Sequence, residues 1–509
     1  MSDQVSTVRQ QQAPTVRLPK RLPLVQLLSN RDNTLLKDAR LVNAYAEKQP
    51  DGGYRVRKRP CLAGLLSLGS RGQAYGFYYA DSWLYAILLT SFEVATIWAI
   101  NITTLQVYNL GNVDGTGLQY TFDDVSLGPT YATLVAGNGV KAYTLGGGTV
   151  PPTVAQITNA NFPTSFCPGW ATLDGTTYVM DTTGKIFGSA INDPTTWTAL
   201  NFILANSDPD QPVGLAKHLT YVIAFKQWTT NVFYDAGNPP PGSPLSPVQG
   251  ALIPYGCLAM STVQEIDGQL FWMTTGSENV TPQIGNINQL SFSVVSTPQI
   301  DRLIQPGGSN NEFYSFTLKT AGHRFYGLTN YIQNYTILYD IDQQMWDIWC
   351  DYTATNFFPG VLMASQNLSA YTTNFIALDI NSGFIYSVQP DYWVNVDAIN
   401  YTGGKFVNAA PLVDIYTPSF DADTRRRKHL NLMFFNGDKV GGSTLQVRHN
   451  DDDYQTNKWS NFRIVNLNAV TPMLAKEGTF RRRAYNFRHQ AATPFRLESV
   501  DLQLDLGTL

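Results

Sequence analysis

The chain has 509 residues and a formal net charge of −4, and only 15% of it is charged, against about 25% in an average globular protein. A chain of this length buries a large core, and a surface so poor in charge resists association weakly, which predicts partner subunits over much of it. Cys61, Cys167, Cys257 and Cys350 stand roughly a hundred residues apart; this spacing argues against metal and redox motifs and predicts free thiols.

The charge is sorted along the chain. Residues 1–60 carry 12 Lys/Arg against 5 Asp/Glu, residues 421–509 carry 14 against 10, and the 360 residues between them carry 9 against 24. Net charge speaks to partners rather than to fold, so basic ends and an acidic middle predict two different contact surfaces.

The first residues are polar, with Gln10, Gln11, Gln12 and Pro14 and no early apolar run, unlike a secretion signal. Residues 1–65 read as an extended arm, with a short helical turn around Leu35–Ala46 and a basic stretch of Arg55, Arg57, Lys58 and Arg59. Trp83 to Ile100 is long enough to suggest a membrane helix, but Glu93 interrupts it. Two buried strands, Leu84–Leu89 and Val94–Ile100, joined by a turn explain it better, and no membrane span is expected.

From 66 to 400, short β-branched and aromatic runs alternate with Gly, Asn, Asp and Pro, the pattern of strands and tight turns. One unit recurs: an acidic or amide residue opens a turn, and an aromatic follows on the returning strand. Asn101 leads to Tyr108, Asp181 to Phe187, Asp340 to Trp346 and Asp379 to Tyr386. Asp and Asn side chains cap such turns, and Gly supplies the positive φ. Further hairpins are predicted at Val135–Tyr143, Tyr221–Tyr234 and Ile266–Trp272, and a stiff Pro-rich loop from Asn238 to Pro247. Aromatics recur at about forty residues, the length of a propeller blade, which gives roughly six to eight blades. The fold class is therefore all-β: a multi-bladed β-propeller with an extended N-terminal arm and a C-terminal β region over 401–509. A tandem of β-sandwiches is the competing architecture.

Catalytic signatures are missing. Gly184-Lys185 is followed by Ile186, so there is no phosphate loop, and there is no Gly-x-Ser-x-Gly elbow. The five histidines, His218, His323, His429, His449 and His489, lack ligand spacing. Asp451-Asp452-Asp453 would suit calcium only outside the EF-hand pattern, and no catalytic, metal or cofactor site is assigned. Asn192, Asp193 and Trp197, and again Asp452 and Trp459, loosely match the Asp-box turn, in which a side chain fixes the hairpin and the Trp packs beneath it. Sialidases carry such boxes but clamp a sugar carboxylate with clustered arginines, and the middle region offers only Arg71, Arg302 and Arg324.

Arg425, Arg426, Arg427 and Lys428, and then Arg481, Arg482 and Arg483, are the strongest electrostatic features. In an extended strand Arg481 and Arg483 would share one face and Arg482 the other. With the Arg55–Arg59 stretch they are candidate partner-interface residues; contact with a nucleic-acid backbone and internal pairing with Asp421, Asp423 or Asp501 are the alternatives.

In order along the chain, Leu41-Val42-Asn43-Ala44-Tyr45-Ala46-Glu47 with Arg59-Pro60, Asn192 to Phe202, Gly256 to Trp272, and the Asp-rich turn with Trp459-Ser460 and Gly478 to Arg483 form a set that resembles the tail-nozzle proteins of short-tailed bacteriophages, also called tail-hub or packaged-DNA-stabilisation proteins. Family members often have Gly after that Arg-Pro, where Cys61 stands here. The resemblance implies a virion structural protein, assembled in the host cytoplasm, with no enzymatic activity. It implies a homohexameric ring beneath the head-to-tail adaptor, with terminal regions joined on the adaptor side and fibre, spike or needle proteins as further partners. DNA would pass through a central channel without sequence-specific binding, helped by a lining poor in cations; no lining residue is assigned. The competing functions are a propeller that binds a receptor or glycan, and a propeller glycoside hydrolase.

Overall fold

The computed structural model describes residues 17–28, 37–127, 132–146, 148–205, 209–239, 241–276, 281–305, 312–369 and 372–507. The chain divides into two compact units: residues 59–411, and residues 1–58 together with 412–509. The first unit holds 10 basic and 23 acidic residues and the second 25 and 16, so charge and architecture divide at nearly the same places.

Residues 59–411 form a β-propeller. Among the described residues it has seven antiparallel sheets of at least four strands. Six are continuous in the chain. Their innermost strands are Gln73–Ala80, Thr121–Leu127, Ala171–Leu173, Pro212–His218, the pair Gly256–Cys257 and Gln264–Ile266, and Phe313–Thr320. The seventh sheet takes Gly360–Ser369, Thr372–Asp379 and Phe384–Gln389 from the end of the unit and Cys61–Ser67 from its start. Its innermost strand lies between those of blades 6 and 1, which closes the ring.

The sequence of one blade explains the rest. In blade 1, Trp83–Ser91 and Val94–Asn101 form the hairpin predicted from the apolar stretch, turning at Phe92-Glu93. Successive side chains point to opposite faces. Leu84, Ala86 and Leu88 pack with Ile376 and Leu378 of blade 7. Tyr85 and Ile87 pack with Leu134 and Ala136 of blade 2. A central blade strand is covered on both faces, so it reads as a continuous apolar run rather than an alternating one. Among the described residues no helix is long and apolar enough to cross a membrane.

The recurrent turns form as expected. Asn101 Oδ1 accepts the N–H groups of Thr103 and Thr104, each at 3.0 Å. Asp181 Oδ1 accepts those of Thr183 and Lys185, Asp340 Oδ1 those of Asp342 and Gln343, and Asp379 Oδ1 those of Asn381 and Ser382. Tyr386 returns its hydroxyl to Asp379 at 3.1 Å. The Pro-rich loop is a hairpin connection in blade 4, tied by Asn238 Nδ2 to the carbonyls of Pro244 and Leu245.

Among the described residues the other unit contains two sheets. One orders Ala44–Lys48, Tyr54–Lys58, Arg496–Leu506, Lys428–Gly437 and Met473–Ala475; the other orders Arg40–Val42, Val413–Tyr416, Ala484–His489, Thr444–Asn450 and Arg463–Asn466. The ring of Phe435 from the first meets that of Phe487 from the second edge-on at 5.8 Å. The helical turn expected around Leu35–Ala46 is not present over the described part: Arg40–Val42 and Ala44–Lys48 are strands. Pairing with Val413–Tyr416 and Tyr54–Lys58 overrides the weak local helix preference. Asn43, at φ 55°, turns the chain from one sheet to the other and donates to Leu412 O.

Candidate functional site

Two features qualify as sites: the cavity on the propeller axis and the basic surface of the terminal unit. The cavity has a volume of about 1160 Å³ and is lined largely by the innermost strands, through Gln73, Tyr75, Phe122, Gln264 and Ala364 among others. Much of its polar lining stitches blades together. Gln73 Nε2 donates to Tyr314 Oη, Gln119 Nε2 to Phe313 O and Gln264 Nε2 to Ser315 O. Among the described lining residues Asp124 and Glu265 are the carboxylates, and there is no Lys or Arg. Burial raises the pKa of both, and pushes that of neighbouring Asp123 up to about 6, against the pull of Lys217. None of Arg71, Arg302 and Arg324 reaches the cavity. Arg324 instead holds Asp342 at 2.6 Å and Asp267 at 3.7 Å, so no guanidinium clamp for a sugar carboxylate forms there.

The titratable side chains that sequence left open have structural work. His218 Nε2 lies 2.9 Å from Gln289 O, and His323 Nδ1 lies 2.6 Å from buried Asp340. Burial lowers the pKa of His489 to about 3, so it is neutral. None of the four cysteines is in a disulfide, and burial pushes the thiols of Cys167 and Cys257 up to about 12, far from thiolate reactivity. Among the described residues no group of three or more His, Cys, Asp and Glu side chains is placed to hold a metal ion.

The first Asp-box turn lies in blade 3. Asp193 Oδ1 accepts the Thr195 N–H at 2.9 Å, and the buried Trp197 donates to Pro194 O at 2.7 Å against Phe162. The second differs. Asn450, not Asp452, fixes that turn, accepting from the N–H groups of Asp452 and Tyr454, because its amide also donates to Gln455 O. Trp459 packs on Tyr416 and under the Arg448 guanidinium.

The basic candidates separate by burial. Arg55 and Arg57 both bind Glu47, Arg57 at 2.9 Å. Lys58 is buried, with Nζ directed at Thr493 O. Arg59 is buried on Asp397. Arg483 is buried too: Nε and Nη2 hold Asp451 at 2.7 and 2.8 Å, and Nη1 donates to Glu477 O. Lys58, Arg59, Lys428 and Arg483 are therefore internal rather than interface residues; a buried cation is retained only where anions or carbonyls surround it. Nor is the segment around Arg482 extended: strand geometry stops at Phe480 and resumes at Ala484, so the expected alternation of faces does not hold.

What remains is Arg425, Arg426, Arg427, Arg481 and Arg482, all exposed. Sequence separated them into two clusters; the structure joins them through Lys428. Its ammonium donates to Thr424 O at 2.6 Å, to Arg426 O at 2.9 Å and to Arg481 O at 2.6 Å. No periodicity or motif announced that clamp.

A closed ring of sheets, fastened by its own N-terminal strand and stitched across its axis by carboxamides, defines a β-propeller scaffold. A family model described as "Bacteriophage P22 Gp10, beta-propeller" matches residues 71–354, which span blades 1 to 6. The chain belongs to this phage-stabilisation family: it is a structural, non-catalytic component of a bacteriophage tail, and its place is the virion. No curated protein matches it. Solved structures similar to it include the N-terminal domain of Nup159, with 9% identity over 69% of this chain and 99% of that chain at a TM-score of 0.37. A chain of the mitotic checkpoint complex has 11% identity over 68% and 96% at 0.39. YCF48 bound to D1 peptide has 12% identity over 64% and 97% at 0.37.

Proposed function

We propose that six copies of this chain form a ring below the head-to-tail adaptor and that the hole enclosed by the ring, not the axis of any one propeller, carries the DNA. The observation behind this is the size of the axial cavity. An innermost strand of eight residues is about 26 Å long, so 1160 Å³ spread along it leaves a cross-section of about 45 Å², whereas the major groove of B-DNA alone is about 12 Å wide. A single propeller cannot pass a duplex; a ring of them can enclose one.

In this reading the subunit prolongs the DNA path, helps retain packaged DNA and guides its ejection. The propeller, with 10 basic residues against 23 acidic ones, offers passing phosphates little to bind. The terminal unit faces the adaptor, and its Arg55 edge is available to partners, fibre or spike proteins among them. Electron microscopy of tails assembled with this chain tests the proposal. Six-fold rings continuous with the portal axis are expected; a single copy attached at the tail periphery refutes it.

A further inference from the structure

We infer that Arg425, Arg426, Arg427, Arg481 and Arg482 form a contact for the phosphate backbone of duplex DNA. The inference rests on the reading above only for its place in the virion, at the adaptor end of the DNA path. The surface itself is a property of one subunit.

Four observations carry it. First, none of the five guanidiniums has a carboxylate partner among the described residues. The acids nearby in sequence are committed elsewhere: Asp423 holds Lys20 at 2.9 Å, Asp451 holds Arg483, and Asp421 acts on the buried Lys428. Five like charges repel unless a polyanion compensates them. Second, the repulsion is built in. Lys428 binds carbonyls of both segments, Arg481 lying 53 residues further along the chain. The Gly507 N–H also donates to Arg427 O at 2.9 Å. The arginines are held together before any partner arrives, so less ordering remains on binding.

Third, the surface lacks an apolar anchor. No large hydrophobic side chain is exposed from 421 to 430 or from 476 to 484. Protein interfaces centre on buried aromatic or aliphatic residues, whereas DNA interfaces are more polar and far more positive. Fourth, the five cations presented together at 425–427 and 481–482 are all arginine; Lys428 between them is buried in the clamp, and Lys476 is exposed at the edge of the second segment. Guanidinium offers a planar fork that matches phosphate. No base-reading element accompanies it, so the contact is blind to sequence.

The test uses the full chain and a labelled 30-base-pair duplex of random sequence. Binding is expected at low salt, with log K falling against log salt at a slope of about −4.5, or about −0.9 for each phosphate neutralised by the five arginines. Affinity should then drop by nearly three orders of magnitude, roughly 500-fold, between 50 and 200 mM salt. Replacing Arg481 and Arg482 by Gln should flatten the slope by about two, and replacing Arg425, Arg426 and Arg427 by Gln by about three. These residues are exposed, and an unchanged melting temperature shows that each variant folds. No duplex binding at 50 mM salt, or equal slopes in wild type and both variants, overturns the inference. So does poly-glutamate binding as tightly as duplex of matched charge, which would assign the surface to an acidic protein. None of these outcomes bears on whether the ring forms.

Discussion

Arg59 and Asp397 form a buried, two-pronged ion pair, with Nη1 3.2 Å from Oδ1 and Nη2 2.5 Å from Oδ2. Asp397 Oδ1 also accepts the Leu62 N–H at 2.9 Å, and Arg59 donates to the carbonyls of Pro60 and Cys350. Residues from both ends of the propeller unit thus meet at the root of Cys61–Ser67, the strand that closes blade 7. Arg59 lies next to the boundary between the two units, where local sequence suggests only one more basic residue in a basic arm.

Replacing Asp397 with Ala leaves a buried guanidinium unpaired, which should cost about 3–5 kcal/mol. Urea unfolding measures it. A loss below about 1 kcal/mol, the range of exposed pairs, would show that the closing strand is held elsewhere.

Lys428→Met should destabilise the terminal unit by about 2–4 kcal/mol, because the carbonyls of Thr424, Arg426 and Arg481 lose a charged donor. Hydrogen exchange should accelerate over 424–427 and 479–482 while the propeller strands stay protected. Equal exchange in both proteins would deny the clamp.

Gly169 stands at φ 96°, and a Cβ there would lie 2.0 Å from Leu215 O in blade 4. That carbonyl is backbone and cannot rotate away. Gly169→Ala should lower stability by more than the about 1 kcal/mol typical of a glycine left in a tolerant site. A thermal melt decides it, and an unchanged midpoint would mean that blades 3 and 4 separate freely there.

Asp123 gives a pH signature. Its folded pKa, raised by burial to about 6, exceeds the unfolded value of about 3.9. The folded state holds the proton more tightly, so this group favours folding at low pH, and that advantage is lost as pH rises through about 6. Asp123→Asn should flatten that limb and stabilise the protein at pH 7.5 by on the order of 1–2 kcal/mol, the partial exposure of the side chain screening the rest. Asp124 and Glu265 shift in the same direction and keep part of the slope. A variant with an unchanged stability–pH profile would remove Asp123 from this role.

Much of the propeller was legible in the residues because its rules are local. Asn101, Asp181, Asp340 and Asp379 cap their turns with their own side chains, and the required spacing is a few residues. The apolar run at Leu84–Leu89 announced a strand covered on both faces. The Asp-rich turn departs from its local pattern because Asn450, two residues before Asp452, makes the same kind of bond. The acidic excess had a plainer cause than partner choice alone: Asp114, Asp181, Asp193, Asp210, Asp235, Asp351 and Asp379 all accept backbone N–H groups in turns.

The all-β class, the blade-length repeat, the turn chemistry and the uneven distribution of charge are all written into the order of the residues, since each follows from side chains acting on their own neighbourhood. Which cations remain exposed is settled by the folded chain alone. Lys58, Arg59, Lys428 and Arg483 look like their neighbours in the chain, yet each is enclosed by an anion or carbonyls brought from distant residues. Burial of a charge depends on partners far away along the chain, and local pattern does not carry that information.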